Sequence, residues 1–266
     1  MERIGLIGGV SWVSTMEYYR RLNMRAQQSG GSHVSADLVM VSLNFEEILA
    51  RQAANDADGE YAILARAAGV IQHAGARKLL ICSNTTSNTC DRLQDSFELD
   101  IVNIIDATRS HVLDHDYKRI GLLGTRYVME REFYRERLES AGIEVVTPGE
   151  RDRSVIHNII YRELCHGIFS QVSREIFMDA LKNFARSGVE AVILGCTEIP
   201  LILPDFTFHG GIAIIDSIDV HLDSALGKSN NESMIEDRDL ELGTGRIFSG
   251  DPGTRHRSYA PVQTGR

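Results

Sequence analysis

Two segments of the sequence, GARKLLICSNT at Gly75–Thr85 and GVEAVILGCTE at Gly188–Glu198, are similar along their whole length. Each is a short apolar run that is followed by small polar residues. Aligned without a gap, the two segments place Ser83 opposite Cys196. A hydroxyl and a thiol are groups that can move protons. Facing each other across a cleft, they could remove a proton from one face of a carbon centre and return one to the other face.

The runs that carry these residues have the character of strands in a parallel sheet. Short β-branched runs alternate with longer segments of helical period, which is typical of βαβ units. Runs such as LLIC and AVIL are apolar throughout, as expected where helices cover both faces of a sheet. We predict strands at about 3–8, 36–42, 78–82, 101–105, 119–124, 143–147, 190–195 and 212–215. We predict helices at about 13–29, 57–74, 85–95, 107–115, 128–141, 153–166, 171–187 and 217–226.

The internal repeat extends beyond the opening pair of segments. The run RIGLIGG at Arg3 is echoed by RIGLLGT at Arg119, and IVNIIDATRSHVLD at Ile101 is echoed by IAIIDSIDVHLD at Ile212. Three matched blocks in the same order predict a chain of two homologous α/β halves. Each half is expected to be a doubly wound α/β domain with a parallel sheet.

The matched blocks place the first half at residues 1–116 and the second half at 117–212. We expect residues 213–227 to complete the first half. Beyond them the periodicity stops, and the sequence is rich in Gly, Ser, Asn and charge. We therefore predict that residues 228–266 form a flexible C-terminal tail. An arm that binds a partner or exchanges between subunits is the alternative.

Composition narrows the classes of partner. The 266-residue chain is 43% hydrophobic and 24% charged, which suits one or two domains with a substantial core. A net charge of -9 gives no electrostatic basis for binding nucleic acid or an anionic membrane. We expect no signal peptide, and no apolar run approaches the roughly 20 residues of a membrane helix. We expect a cytoplasmic protein with reduced thiols and a small-molecule or protein partner.

No motif in the sequence predicts a metal or a cofactor. The four cysteines are Cys82, Cys90, Cys165 and Cys196. They lack the spacing of metal ligands, and the pair His111 and His115 has no third ligand in register. The run GLIGGVSW lacks the GxGxxG spacing of a dinucleotide site. Cys90 and Cys165 fall within predicted helices, and we expect them to be core or boundary residues.

Small polar residues follow four of the predicted strands, at Gly8–Ser11, Ser83–Thr85, Gly124–Thr125 and Cys196–Glu198. Doubly wound sheets bind ligands beyond the carboxyl ends of their strands. Where a helix begins there, its free N–H groups and its dipole favour a carboxylate. The same field lowers the pKa of a thiol from about 8.5 toward neutrality. Cys196 is therefore placed as a reactive cysteine, and a buried structural cysteine is the alternative.

Five motifs carry a resemblance to a known family: IGLIGGVSWVSTMEYY, CSNT, LLGTRYVMEREFYRERL, HNIIYRELCHGIF and LGCTEIPLIL. On these motifs the chain resembles the cofactor-independent aspartate/glutamate racemase superfamily over residues 1–227. The resemblance implies two pseudo-symmetric α/β domains with an interdomain active-site cleft, and commonly a homodimer. It also implies racemisation without pyridoxal phosphate, in which one cysteine removes the α-proton and a second delivers a proton to the opposite face.

This chain departs from the family at the first cysteine. The residue before Asn-Thr is a cysteine in most members, and here it is Ser83. Cys82 is one position earlier, where strand alternation would point it away from the cleft. The chain is most similar to a branch with a hydroxyl residue in this place, which acts preferentially on L-enantiomers of acidic amino acids. By analogy, we expect Cys196 to deprotonate the L substrate and Ser83 to reprotonate the other face.

Other positions match substrate-binding residues of the family. Substrate contacts are implied for Val10, Asn84, Thr85, Thr125, Thr197 and Glu198. The threonines and Asn84 would hold the α-carboxylate and the α-amino group. Glu198 could accept a hydrogen bond from the ammonium group or orient Cys196. Turn-forming and N-capping roles are the alternative for all of these residues.

The binding of the substrate side chain is a second departure. Family members with acidic substrates carry a lysine where this chain has Val155. Arg51 and Gln52, which we place on the loop after the second strand, are candidates to replace that lysine. Arg151 and Arg153 are further candidates. Otherwise the substrate is an apolar or uncharged amino acid rather than a dicarboxylate.

Three functions remain open from the sequence. The first is an amino-acid racemase that prefers L-enantiomers. The second is a single-cysteine decarboxylase or cis-trans isomerase of small carboxylic acids, which the serine at position 83 favours. The third is a ligand-binding homologue without activity, against which the retained run Cys196-Thr197-Glu198 argues.

Overall fold

The structure is a computed structural model that describes residues 2–203 and 211–227, so the predicted tail at 228–266 lies outside the described residues. The strands are β1 (Ile4–Gly8), β2 (Leu38–Ser42), β3 (Lys78–Ile81), β4 (Asp100–Val102), β5 (Arg119–Gly124), β6 (Glu144–Val146), β7 (Ala191–Gly195) and β8 (Ala213–Asp216). The α-helices are α1 (Trp12–Gly30), α2 (Phe45–Ala53), α3 (Ala57–His73), α4 (Cys90–Ser96), α5 (Ile104–Asp114), α6 (Arg126–Glu130), α7 (Glu132–Glu139), α8 (Glu150–Arg162), α9 (Gln171–Arg186), α10 (Ile199–Ile202) and α11 (Ser217–Leu226). Two 3-10 turns lie at Thr85–Thr89 and Leu164–His166.

Within the described residues, the strands form two four-stranded sheets with the orders β2-β1-β3-β4 and β6-β5-β7-β8. Every pair of neighbouring strands is parallel. In each sheet the chain leaves the first strand for one edge and returns on its other side, so the order reverses between the two central strands. The predicted α/β fold of two pseudo-symmetric, doubly wound parallel halves is confirmed.

The two halves exchange their last helices. Helix α5 follows β4 of the first sheet, yet its Ile104 and Ile105 lie in the core formed by β5 and β7 of the second sheet. Helix α11 follows β8 of the second sheet, and its Ile218 and Leu222 lie in the core formed by β1 and β3 of the first. The two helices also contact each other. Each half is therefore covered by a helix that the other half supplies.

This exchange corrects the expected assignment of residues 213–227. They were expected to complete the first half, but β8 pairs with β7 in the second sheet. The reason lies in the repeat, because β8 takes the place beside β7 that β4 takes beside β3. Only α11 packs against the core of the first half.

A buried polar link holds α11 on the first half. His221 Nδ1 lies 2.8 Å from the Tyr18 hydroxyl of α1, and His221 Nε2 lies 2.8 Å from the Val102 carbonyl oxygen of β4. Burial lowers the pKa of His221 to about 4, so the ring is neutral at pH 7. A neutral ring fits both contacts, because Nε2–H donates to the carbonyl and Nδ1 accepts from the phenol.

Two differences from the predicted elements affect the site. Helix α2 was not predicted, although Asn44 is a good capping residue and its side chain accepts a hydrogen bond from the Glu46 N–H. The helix predicted at 128–141 is divided into α6 and α7 by Arg131, whose backbone is extended. None of the helices in the described ranges combines the length and hydropathy that a bilayer crossing demands.

Candidate active site

A cavity lies between the two sheets, at the carboxyl ends of their central strands β1, β3, β5 and β7. Its lining residues are Val10, Ser11, Phe45, Gln52, Ser83, Asn84, Thr85, Thr125, Ile160, Tyr161, Cys165, Gly195, Cys196, Thr197 and Glu198. The structure thus brings together the predicted site residues except the three arginine candidates, Arg51, Arg151 and Arg153. The location agrees with the rule that doubly wound sheets bind ligands at the point where the strand order reverses.

The two halves contribute opposite walls to this cavity. Ser83 follows β3 of the first sheet and Cys196 follows β7 of the second, and both side chains are buried. Thr85 and Thr125 join the walls, with their hydroxyl oxygens 3.2 Å apart. The sequence repeat therefore places a hydroxyl on one wall and a thiol on the other, as the alignment of the two segments predicts.

The Glu198 carboxylate organises the wall that carries Cys196. Its Oε2 accepts hydrogen bonds from the Cys196 thiol at 3.1 Å and from the Thr197 hydroxyl at 2.9 Å. Its Oε1 accepts a hydrogen bond from the Ser11 hydroxyl and lies 4.0 Å from the Cys165 thiol. Since Ser11 belongs to the loop after β1, this carboxylate also ties the two walls together.

The Cys196 thiol is protonated in this arrangement. Burial raises its pKa well above the ordinary value, and the negative charge of Glu198 raises it further. A thiol that donates to a carboxylate has an acceptor for its proton already in contact. A positive charge beside Cys196 would act in the opposite direction and lower that pKa.

The opposite wall carries polar groups without a thiol. The Thr86 backbone N–H donates to Ser83 Oγ at 3.4 Å. The Asn84 Nδ2 group donates to the Ser217 hydroxyl at 3.0 Å, and Asn84 Oδ1 accepts a hydrogen bond from the Tyr134 hydroxyl at 3.4 Å. Both ends of the Asn84 side chain are thus engaged with the second half, and this residue joins the walls as well as lining the cavity.

The other three cysteines are all buried in hydrophobic cores, and one of them also lines the cavity. Cys82 is fully buried in the core of the first half beneath α1, on the side of the strand that alternation predicts. Cys90 lies in the core between α3 and α4, as expected. Cys165 lies in the core of the second half, as expected, and the 3-10 turn after α8 also brings it into the cavity lining, 4.0 Å from Glu198.

The side chains of Arg51 and Gln52 point in different directions, because both residues lie on the helix α2 rather than on the expected loop. Successive residues of an α-helix point about 100° apart. Gln52 is buried and lines the cavity, whereas the Arg51 guanidinium is half-exposed and pairs with Asp56 at 2.8 Å. Arg51 is therefore removed from the candidate site residues that the structure brings together.

The sequence analysis did not single out several lining residues. They are Phe45, Ile160, Tyr161, Cys165 and Gly195, while Ser11 was named only as part of the strand end Gly8–Ser11. Three of them lie within the motif HNIIYRELCHGIF, and Ser11 lies within IGLIGGVSW, so the motifs contained the signal without indicating which face meets the cavity. Phe45 begins the helix that was not predicted. Its ring stacks on Tyr161 with centroids 6.1 Å apart.

Arg151 and Arg153, the other candidates to bind the substrate side chain, lie outside the cavity, and so does Val155. Val155 is partly exposed on α8 and is absent from the lining. Arg153 pairs with Glu130 at 2.9 Å and donates to the Pro148 carbonyl. Arg151 is exposed. Over the ranges that the structure describes, no group of three or more His, Cys, Asp or Glu side chains is arranged to hold a metal ion.

The chain is similar to proteins of one family. The sequence pattern of the Asp/Glu/Hydantoin racemase family matches residues 7–225. A candidate Asp/Glu racemase from Yersinia pestis has 38% identity and a TM-score of 0.77, over 85% of this chain and 98% of that chain. An aspartate racemase homologue from Pyrococcus horikoshii OT3 has 30% identity and a TM-score of 0.71 over the same shares. A glutamate racemase from Hydrogenobaculum sp. is 26% identical over 143 residues, about half of each chain.

Proposed function

Because this chain belongs to the Asp/Glu/Hydantoin racemase family, we propose that it is an amino-acid racemase that works without pyridoxal phosphate or a metal. The observation that carries the proposal is the buried Cys196 thiol in contact with the Glu198 carboxylate, on the wall opposite Ser83. The reaction removes the α-proton from one face of the substrate and delivers a proton to the other.

Cys196 is the base for the L-enantiomer in this proposal. Glu198 would accept the thiol proton over the existing 3.1 Å hydrogen bond, which removes the negative charge that raises the pKa of the thiol. The substrate ammonium group would lie beside Cys196 and stabilise the thiolate, which takes the α-hydrogen as a proton. The Thr85 and Thr125 hydroxyls, which meet between the walls, would hold the α-carboxylate.

Ser83 is the acid on the other face. Its hydroxyl delivers a proton to the α-carbon, and the Thr86 N–H that donates to Ser83 Oγ stabilises the negative charge that develops there. A serine hydroxyl is a much weaker acid than a thiol and does not wait as an alkoxide at neutral pH. The enzyme is therefore expected to start from the L-enantiomer far more readily than from the D-enantiomer.

The proposal is tested by the exchange of the α-hydrogen in heavy water. Proton NMR of L- and D-amino acids incubated with the enzyme is expected to show loss of the α-proton signal, faster for L than for D, together with loss of optical rotation. Glycine, which exchanges without inversion, serves as a control for proton abstraction alone. A broad panel in which no amino acid exchanges would rule out a racemase.

A second candidate function follows from the asymmetry of the walls. The thiols of the cavity, Cys196 and Cys165, both lie near Glu198, whereas the wall after β3 carries hydroxyl and amide groups. A single reactive thiol suffices for the decarboxylation of a substituted malonate or the cis-trans isomerisation of a small unsaturated diacid. Carbon dioxide release or isomerisation, without α-hydrogen exchange in any amino acid, would select this function.

We also propose that the protein is a homodimer formed through α1. Trp12, Met16 and Tyr19 recur at helical spacing on one face of this helix, and each is more than half exposed. The substitution Met16→Asp is expected to give a monomer in sedimentation velocity, because a charge at the centre of an apolar interface is costly to bury. Val70→Asp, at an exposed apolar position on α3, is the matched control. Wild type that sediments as a monomer would contradict the proposal.

We place the enzyme in the cytoplasm, where a free thiol stays reduced. The four cysteines are unpaired in the structure, and the proposed chemistry requires Cys196 in that form. Recovery of the native protein from an extracytoplasmic fraction of its own cells would argue against this location.

A further inference from the structure

The Gln52 amide presents an unused hydrogen-bond acceptor to the cavity. The residue is 4% exposed and lines the cavity from α2. Its Nε2 donates to Glu60 Oε1 at 2.9 Å, while its Oε1 is buried and has no hydrogen-bond partner among the described residues. A buried acceptor without a donor is unfavourable. A ligand that brings a donor to this oxygen would remove the penalty.

Glu60 sets the direction of that amide. This side chain is itself buried, and burial raises its pKa, while the Gln52 hydrogen bond and the charge of Arg131 act in the opposite direction. The NH2 group of Gln52 faces Glu60 in the 2.9 Å hydrogen bond between them, which leaves the Gln52 carbonyl oxygen without a donor.

The same cavity offers no positive charge to a second carboxylate. Its described lining contains no lysine or arginine. Two arginines on the surrounding elements are engaged elsewhere, since Arg51 pairs with Asp56 and Arg153 pairs with Glu130. Arg131 donates to the Asn55 side chain and stacks over the Tyr127 ring. A distal carboxylate would lose its hydration in a cavity that already holds Glu198.

The rest of the lining is uncharged and partly aromatic. Phe45 and Tyr161 stack on each other, and Ile160 lies beside them in the lining. Burial raises the pKa of the Tyr161 phenol, which therefore stays neutral at pH 7. These side chains favour the methylene or methyl groups of a substrate, whereas Gln52 favours a donor.

We propose that the substrate is an α-amino acid whose side chain is uncharged and donates a hydrogen bond, as a carboxamide or a hydroxyl does, and that Gln52 Oε1 accepts that bond. The inference rests on the proposed racemisation for the reaction and adds the class of substrate. It makes Gln52 a specificity-determining residue at the distal end of the cavity.

Isosteric substrates test the two parts of this proposal. Asparagine, aspartate and leucine have side chains of similar shape, as do glutamine, glutamate and methionine. The α-hydrogen of the best amide is expected to exchange at least about tenfold faster than that of its acidic and apolar counterparts. If an acidic amino acid exchanges as fast as its amide, the requirement for an uncharged side chain is wrong. If the apolar isostere exchanges as fast as the amide, the requirement for a hydrogen-bond donor is wrong.

The variant Gln52→Met removes the acceptor and keeps the size of the side chain. It is expected to erase the preference for the amide over the apolar isostere, while the preference over the acid remains. Gln72→Met, an exposed glutamine on α3 outside the cavity, is the matched control and should leave both preferences unchanged. An unaltered preference in folded Gln52→Met would contradict the role of Gln52.

Binding separates this inference from the proposed reaction. If no amino acid exchanges, the racemase proposal fails, and the substrate class is then judged from the ligand-induced rise of the melting temperature of wild type. The amide is expected to raise the melting temperature more than its acidic and apolar isosteres do. An equal or larger rise with the acid, or no rise with any of them, would overturn the inference itself.

Discussion

Replacement of Cys196 with alanine is expected to lower the rate of α-hydrogen exchange by roughly 10³-fold, because the base that contacts the L substrate is lost. Glu198 remains in the variant, but its carboxylate already accepts hydrogen bonds from Ser11 and Thr197. The measurement is the loss of the α-proton signal of the preferred L-amino acid in heavy water. Far-ultraviolet circular dichroism checks that the variant is folded.

Cys82→Ala is the matched control for this experiment. It removes a thiol from the same kind of strand end, but from the core of the first half rather than from the cavity. Its exchange rate is expected to stay within a few-fold of wild type, although a truncated core side chain lowers the stability by about 1 kcal/mol or more. Cys196→Ala with full activity would end the proposed mechanism, and a large activity loss in folded Cys82→Ala would make Cys82 the residue to reconsider.

Replacement of Ser83 with alanine is expected to separate proton exchange from inversion. Cys196 still removes the α-proton of the L-enantiomer and can return a deuteron to the same face. The L-amino acid should therefore become deuterated at a rate near that of wild type, while formation of the D-enantiomer falls by roughly 10²-fold. Chiral chromatography of the product, combined with NMR of the α-proton, measures both quantities in one sample.

Ser83→Cys provides the complementary result. A thiol on the wall after β3 ionises far more readily than a hydroxyl, so a thiolate base becomes accessible near neutral pH, and this variant is expected to act on D-enantiomers faster than wild type does. The ratio of D to L exchange rates reports the change without reference to the amount of active enzyme. If Ser83→Ala forms the D-enantiomer as fast as wild type, another group must reprotonate that face, and Ser83 is a structural residue of the turn.

The location of the site could be predicted from the sequence because it depends on the repeat. The matched strand-and-turn segments identify β3 and β7 as equivalent strands, and the rule for doubly wound sheets then places Ser83 and Cys196 at facing edges. Those positions depend on backbone topology, which the apolar runs encode strongly. The contact between Cys196 and Glu198 follows from their proximity in the sequence.

The contents of the far end of the cavity could not be predicted in the same way. Gln52 and Phe45 reach it from α2, a helix of nine residues that the periodicity did not indicate. Placed on a loop, Arg51 and Gln52 are equivalent candidates, and only the helical rotation sends one into the cavity and the other to Asp56. Cys165 reaches the cavity through a 3-10 turn after α8, which a purely helical pattern does not indicate.

Because the two halves exchange α5 and α11, the units of the sequence repeat are not the units that form complete cores. The sequence repeat marks a boundary near residue 116, but a cut there would remove Ile218 and Leu222 from the first core and Ile104 from the second. A single repeat unit thus has an incomplete hydrophobic core, and each core is completed by a helix from the other unit. The interlocked halves also set the separation of Ser83 and Cys196, so the geometry of the cavity depends on both copies and on neither alone.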